Sequence, residues 1–160
     1  MSYLQRIEEH KNLNVFLEVY IKELLQKAKE TDDKISKNEA SQLAGLVFRT
    51  KYLFCYQEHE VSEGSQILKD YESFFKSTAL QKLLDEDAIL IGKQNCDEFG
   101  MGSSNENSLY DPPLNVLDLN RVSSGSSRGY AVAVQTNLCL ASLSIDTGGS
   151  VDNQQHFVEW

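Results

Sequence analysis

Leu17, Ile21, Leu24 and Ala28 fall at helical spacing, with Leu25 widening the stripe and Glu and Lys filling the opposite face. This pattern predicts a long helix over Val15 to Ser36, preceded by the end of another from Tyr3 to His10. Lys37 to Gln42 is a polar loop. Gly45 to Lys51 reads as a short strand ending in a lysine. Cys55 to Gly64 carries no periodicity and receives no assignment. Phe75, Ala79, Leu80, Leu83 and Leu84 line one face of a helix predicted over Ser73 to Asp87. Ala88 to Gly92 is an apolar run of buried-strand length. Asn105 to Asn120, with Pro112-Pro113 inside it, reads as loop. Ser127 to Thr136 is expected to be helical, and Cys139 to Ser144 a strand feeding the turn Asp146-Thr147-Gly148-Gly149-Ser150.

Helices alternating with strands predict an α/β fold with a largely parallel sheet flanked by helices. Sites in such sheets gather at the carboxyl ends of strands, and both Lys51 and Ser150 follow predicted strands. With 160 residues and no internal repeat, the chain reads as one domain over 1–160. Its net charge of −9 argues against a nucleic-acid surface. The lysines of Lys22 to Lys37 are interleaved with acids and read as a solvated helix face. No apolar run is long enough to cross a bilayer, and the start MSYLQRIEEHK has no signal-peptide core. The three cysteines, Cys55, Cys96 and Cys139, show no metal spacing and suit free thiols in a reducing cytoplasm.

Lys51, Ser126 and Ser150 can form a nucleophilic site. A serine hydroxyl needs a base within hydrogen-bond reach. A lysine serves as that base only when burial leaves it neutral, and a second serine can relay the proton. The glycine turn before Ser150 offers N–H groups for an oxyanion. Against this stand blander readings, in which the lysine is a surface residue and the glycine turns are ordinary loops. Other constellations carry less. His10, His59 and His156 share no ligand spacing. Cys96 has no histidine nearby to activate it and reads as a small buried side chain. Asp97 and Glu98 are adjacent, a poor acid/base pair, and suit orienting a loop. Gly92-Lys93 lacks the glycine-rich loop of a nucleotide site.

Taken together, LNVFLEVY, AILIGKQNCDEFGMGSSNENS, RVSSGSSRGYAVAV and LASLSIDTGGS resemble the amidase-signature family. Within it they are most similar to the A subunits of glutamyl-tRNA(Gln)/aspartyl-tRNA(Asn) amidotransferases, from about Leu13 to Val151. The resemblance implies the amino-terminal part of an amidase-signature domain, with a partial mixed sheet. It also implies a serine–cis-serine–lysine triad: Ser150 as nucleophile, Ser126 as bridge after a cis Gly125–Ser126 bond, and Lys51 as base. Backbone groups of Thr147, Gly148 and Gly149 would form the oxyanion hole, and Met101, Gly102 and Ser103 would lie near substrate. Such proteins hydrolyse glutamine and pass ammonia to a B subunit, which uses ATP and Mg²⁺ to amidate mischarged tRNA, while a C subunit braces the pair. This chain itself would hold no metal or cofactor, would meet tRNA only through the B subunit, and would sit in the cytoplasm away from membranes.

The sequence departs from the family pattern at several points. Tyr52 stands where an acidic residue usually follows the lysine, and Arg49 replaces a small or apolar residue. A guanidinium so close would further depress the lysine pKa. Ser124 and Arg128 replace glycines of the bridging turn. Asp152 follows Val151 where an arginine usually lies, which would deprive Asp146 of an ionic partner. Two further readings therefore stand beside the glutaminase: a non-catalytic remnant or docking module, and a stand-alone amidase.

Overall fold

The computed structural model describes residues 2–104, 106–116, 118–120, 125–127 and 129–152. Helix α1 (Tyr3–Glu9) begins where the Ser2 hydroxyl accepts the Gln5 N–H at 3.3 Å. A 3-10 turn at Lys11–Leu13 ends on Asn14 in the left-handed region, and strand β1 (Phe16–Val19) follows. Next come α2 (Ile21–Ser36), β2 (Val47–Lys51), α3 (Thr78–Asp85) and β3 (Ile89–Gln94). The last elements are α4 (Gly129–Gln135) and β4 (Ala141–Leu143).

The sheet order is β1-β3-β2-β4. β2 runs parallel to both β3 and β4, whereas β1 is antiparallel to β3. The result is a mixed α/β sheet whose parallel part brings Lys51 to the carboxyl end of β2. All six residues of β3 are buried, as expected for an interior strand covered on both faces. Alternate side chains divide the core accordingly. Ile89 and Ile91 pack with Leu24 of α2 and with Val132 and Ala133 of α4. Leu90 packs with Phe48 and with Leu80 of α3 on the other face.

Two predicted helices are shorter than their apolar patterns. Val15 to Val19 is not the first turn of α2: Phe16 to Val19 form β1, and the Tyr20 N–H donates to the Ile91 carbonyl at 3.0 Å. Pairing with β3 satisfies this backbone, and the β-branched and aromatic residues Val15, Phe16 and Val19 suit a pleated surface. Leu17 therefore belongs to the strand and not to the helical stripe. The second helix begins at Thr78, not Ser73. Ser73 bridges to Gln57, and its N–H donates to the His59 carbonyl at 3.1 Å. Phe75, expected on the apolar face, is 57% exposed.

Asp87 ties α2 to the start of β3. Its Oδ1 accepts Lys34 Nζ at 2.6 Å and Lys27 Nζ at 3.1 Å, and its Oδ2 accepts the Ser41 N–H at 3.1 Å. These donors hold its carboxyl well below the usual carboxylate range. Two of the lysines of Lys22 to Lys37 thus serve a specific anchor, although both remain partly solvated. Among the described residues, no helix is long and apolar enough to cross a membrane.

Asp87→Asn removes the charge and keeps the shape. A carboxyl whose folded pKa lies below 3.8 contributes stability above that pH and loses it as pH falls through the folded value. Urea unfolding should show the variant less stable by about 1 kcal/mol at pH 7. That difference should shrink progressively below pH 4.

Candidate active site

The parallel pairing of β2 with β3 and β4 carries Lys51 into the interior, where it is 1% exposed. Its Nζ lies 2.7 Å from Ser126 Oγ, and Ser126 Oγ lies 2.8 Å from Ser150 Oγ. Either hydroxyl can be the donor in the second contact. Ser126 is wholly buried, while Ser150 keeps 7% of its surface. The nucleophile candidate is thus the solvent-facing end of a buried three-residue chain.

Local structure explains how residues so distant in sequence meet. Ser126 precedes α4 and follows a cis Gly125–Ser126 bond. The Gly125 N–H donates to the Ser103 carbonyl at 2.6 Å, which ties this turn to the loop after β3. Met101, Gly102 and Ser103 are exposed beside it. Ser150 ends the turn that follows β4. Ser124 and Arg128, the altered positions of the bridging turn, lie outside the described residues.

Burial lowers the Lys51 pKa from its ordinary 10.5, while the neighbouring Cys96, Asp97 and Asp146 oppose that fall. Arg49 has no part in it, contrary to expectation. Its guanidinium donates to the Gly129 carbonyl and sits 5.5 Å over the Phe16 ring, with the Cys139 thiol near enough to influence it. Burial draws Arg49 down to about 10. Its Nε and Nη1 are buried with no partner, a costly arrangement for a cation that replaces a small side chain.

Tyr52 is also buried, with its ring 5.3 Å from Lys93 Nζ and edge-on to Tyr110. Lys93 donates to the Glu60 carbonyl at 2.7 Å, and burial lowers its pKa to about 8. An aromatic face here meets a neighbouring ammonium at cation–π range, where the family pattern has a carboxylate.

The turn before Ser150 is built on Asp146. Its Oδ1 accepts the N–H groups of Gly148 and Gly149 at 3.0 and 2.6 Å. Its Oδ2 accepts those of Val151 and Asp152 at 2.7 and 2.9 Å. These four backbone bonds pull its pKa down to about 2. Asp152, which stands where the family pattern has an arginine, donates one of these N–H groups. This arrangement also bears on the expected oxyanion hole, because two of its three N–H groups already point at a carboxylate. An aspartate accepting N–H groups two and three residues on is an Asx-type turn. Asp146 before Gly148-Gly149 was the signal for it.

The weaker candidates fall in structural roles. The Cys96 thiol is wholly buried and pushed up to about 12, so it is inert as a nucleophile. Glu98 accepts the Ser65 hydroxyl at 2.6 Å, and Asp97 accepts the Asn107 N–H at 3.2 Å. Both brace the loop. His59 packs between Tyr20 and Tyr56, His10 contacts the Arg6 carbonyl, and His156 lies outside the described residues. No cluster of metal-ligating side chains occurs among the described residues.

The amidase family model matches residues 1–152. The A subunit of a curated glutamyl-tRNA(Gln) amidotransferase from Chlorobium phaeobacteroides is 42% identical over 159 residues, 99% of this chain and 33% of that relative. The chain spans about a third of the length of the curated relatives it matches. Among solved structures, an inhibitor-bound vestigial complex linked to the origins of an s-triazine catabolic enzyme superposes with a TM-score of 0.91. Identity is 29%, over 96% of this chain and 34% of that one. The A subunit of the Thermotoga maritima glutamyl-tRNA(Gln) amidotransferase gives a TM-score of 0.74 at 32% identity, over 93% of this chain and 30% of its own.

If Asp146 organises this turn, Asp146→Ala should free the four N–H groups. Amide hydrogen exchange of Gly148, Gly149, Val151 and Asp152 should then accelerate by about tenfold or more, with the β3 amides unaffected.

Proposed function

This chain belongs to the amidase family, and from that membership we propose that it works as a glutamine amidohydrolase supplying ammonia for the amidation of mischarged Glu-tRNA(Gln) or Asp-tRNA(Asn). The observation that carries the proposal is the unbroken contact from Lys51 through Ser126 to Ser150. A hydroxyl at neutral pH is a poor nucleophile, and only a relay ending in a neutral base makes it effective. The burial that lowers the Lys51 pKa favours that neutral form.

In this mechanism Ser150 Oγ attacks the side-chain amide carbon while its proton passes to Ser126. The Ser126 proton passes in turn to the Lys51 amine. The tetrahedral oxyanion draws on the backbone N–H groups of Thr147, Gly148 and Gly149. Two of these are shared with Asp146, so acylation entails competition between the oxyanion and that carboxylate. The relay then returns a proton to the departing nitrogen, and ammonia leaves an acyl-Ser150. Water, deprotonated through the same relay, releases glutamate. Met101, Gly102 and Ser103 stand beside the Ser126 turn, where a substrate would pass.

The likeness to the A subunits of amidotransferases supports B and C subunits as partners, with ATP, Mg²⁺ and tRNA all engaged by the B subunit. The acidic balance of this chain suits that division, and its free thiols suit the cytoplasm. A second reading, a non-catalytic docking module, is favoured by the hold of Asp146 on two oxyanion donors. Purified chain, with and without its B and C partners, should release ammonia from glutamine. Ser150→Ala should abolish release, and Lys51→Ala should lower it by about a thousandfold. The rate should rise with pH as Lys51 deprotonates, below its ordinary 10.5. Absence of ammonia under every condition would favour the docking module.

A further inference from the structure

Asp97 is wholly buried and is not one of the three side chains of the Lys51–Ser126–Ser150 contact. Its carboxylate packs against two glycines. A Cβ on Gly102 would lie 2.5 Å from its Cγ, and a Cβ on Gly125 would lie 2.5 Å from its Oδ2. Only residues without a side chain allow so close an approach. Gly125 precedes Ser126, whose hydroxyl receives Lys51 Nζ at 2.7 Å. The Asp97 carbonyl in turn accepts the Gly100 N–H at 2.8 Å, and a Cβ on Gly100 would lie 3.7 Å from Lys51 Nζ. The carboxylate is thus wedged behind the bridging turn on a loop that also lines the lysine.

We propose that Asp97 is a positioning residue of the relay, seating the Gly125–Ser126 turn and providing the counter-charge for Lys51 when that amine takes up a proton. The proposal rests on the reading of Lys51 as the base. A buried amine that gains a proton gains an ion in a poorly solvated place, and such an ion needs a compensating charge nearby. Cys96, Asp97 and Asp146 are the groups whose influence raises the Lys51 pKa. The Cys96 thiol stays neutral with its pKa near 12. Asp146 is on the exposed turn beside Ser150 and is committed to four backbone N–H groups. Glu63, close enough to influence Cys96, has its own carboxyl pKa raised by burial. Arg49 is turned toward Gly129 and Cys139. Asp97 is therefore the fully buried carboxylate among the groups that raise Lys51.

The test is an NMR titration of the full chain with ¹³C-labelled lysine and aspartate. Asp97→Asn keeps the shape and an acceptor for the Asn107 N–H but removes the charge. The Lys51 Cε resonance should titrate at lower pH in the variant than in the parent chain, and an unchanged or higher midpoint overturns the proposal. A second measurement needs no variant. In the parent chain, the Asp97 Cγ resonance should step at the pH where Lys51 titrates, and a flat Asp97 resonance across that pH overturns the counter-charge role. Neither readout depends on turnover. If the chain hydrolyses no glutamine, the glutaminase reading falls while these titrations still decide the role of Asp97.

Discussion

Everything at this site depends on burying a lysine. In the proposed relay Lys51 must be neutral to accept a proton, and a solvated lysine would stay protonated at neutral pH. The fold avoids this by running β2 between β3 and β4 and covering the sheet with α2, α4 and α3. Removing an ammonium from water is costly, and a lowered pKa relieves part of that cost by favouring the neutral amine. Desolvation of the candidate base therefore accompanies closure of the core.

The remaining site parts adjust the consequences. Asp97 and Asp146 are the two carboxylates that oppose the loss of the lysine's proton, and each is itself fastened by backbone N–H groups. Asp146 holds the turn on both sides of Ser150, the candidate nucleophile, through four backbone N–H groups. That solution has a chemical consequence: an anion sits on two N–H groups that an oxyanion would use. Arg49 tells a related story of substitution. Its guanidinium occupies a place where the family pattern has a small or apolar side chain, and it meets a carbonyl and a ring but no acid.

Much of this was legible in the chain. The strand ending in Lys51, the buried run at Ile89 and the turn before Ser150 each carry a local pattern strong enough to read directly. What the pattern misassigned was decided by distant partners. Val15 to Val19 has the spacing of a helix but becomes a strand because β3 offers its backbone a ladder. Ser73 to Ser77 has helix-compatible composition, but Glu72 and Ser73 at its start are drawn into bridges with Glu60 and Gln57. The contacts from Lys51 to Ser150 could not be derived from spacing, since the members lie 75 and 24 residues apart; residue chemistry offered the three as a possible site, and resemblance to a family gave each its expected role. The direction of Arg49 was misjudged because adjacency in sequence says little about which neighbours a long buried side chain reaches. The hold of Asp146 on its own turn is readable as an Asx-type motif, an aspartate two and three residues before a pair of glycines.

The proposed chemistry turns on Lys51 activating Ser150 through Ser126. Covalent labelling with a fluorophosphonate, mapped by mass spectrometry, tests it most directly because it reports nucleophilicity without requiring glutamine or partner proteins. A single adduct on Ser150 is expected in the parent chain, lost in Ser126→Ala and in Lys51→Met variants that remain folded. An adduct on Ser150 that forms equally fast without Lys51, or labelling confined to another serine, would contradict it.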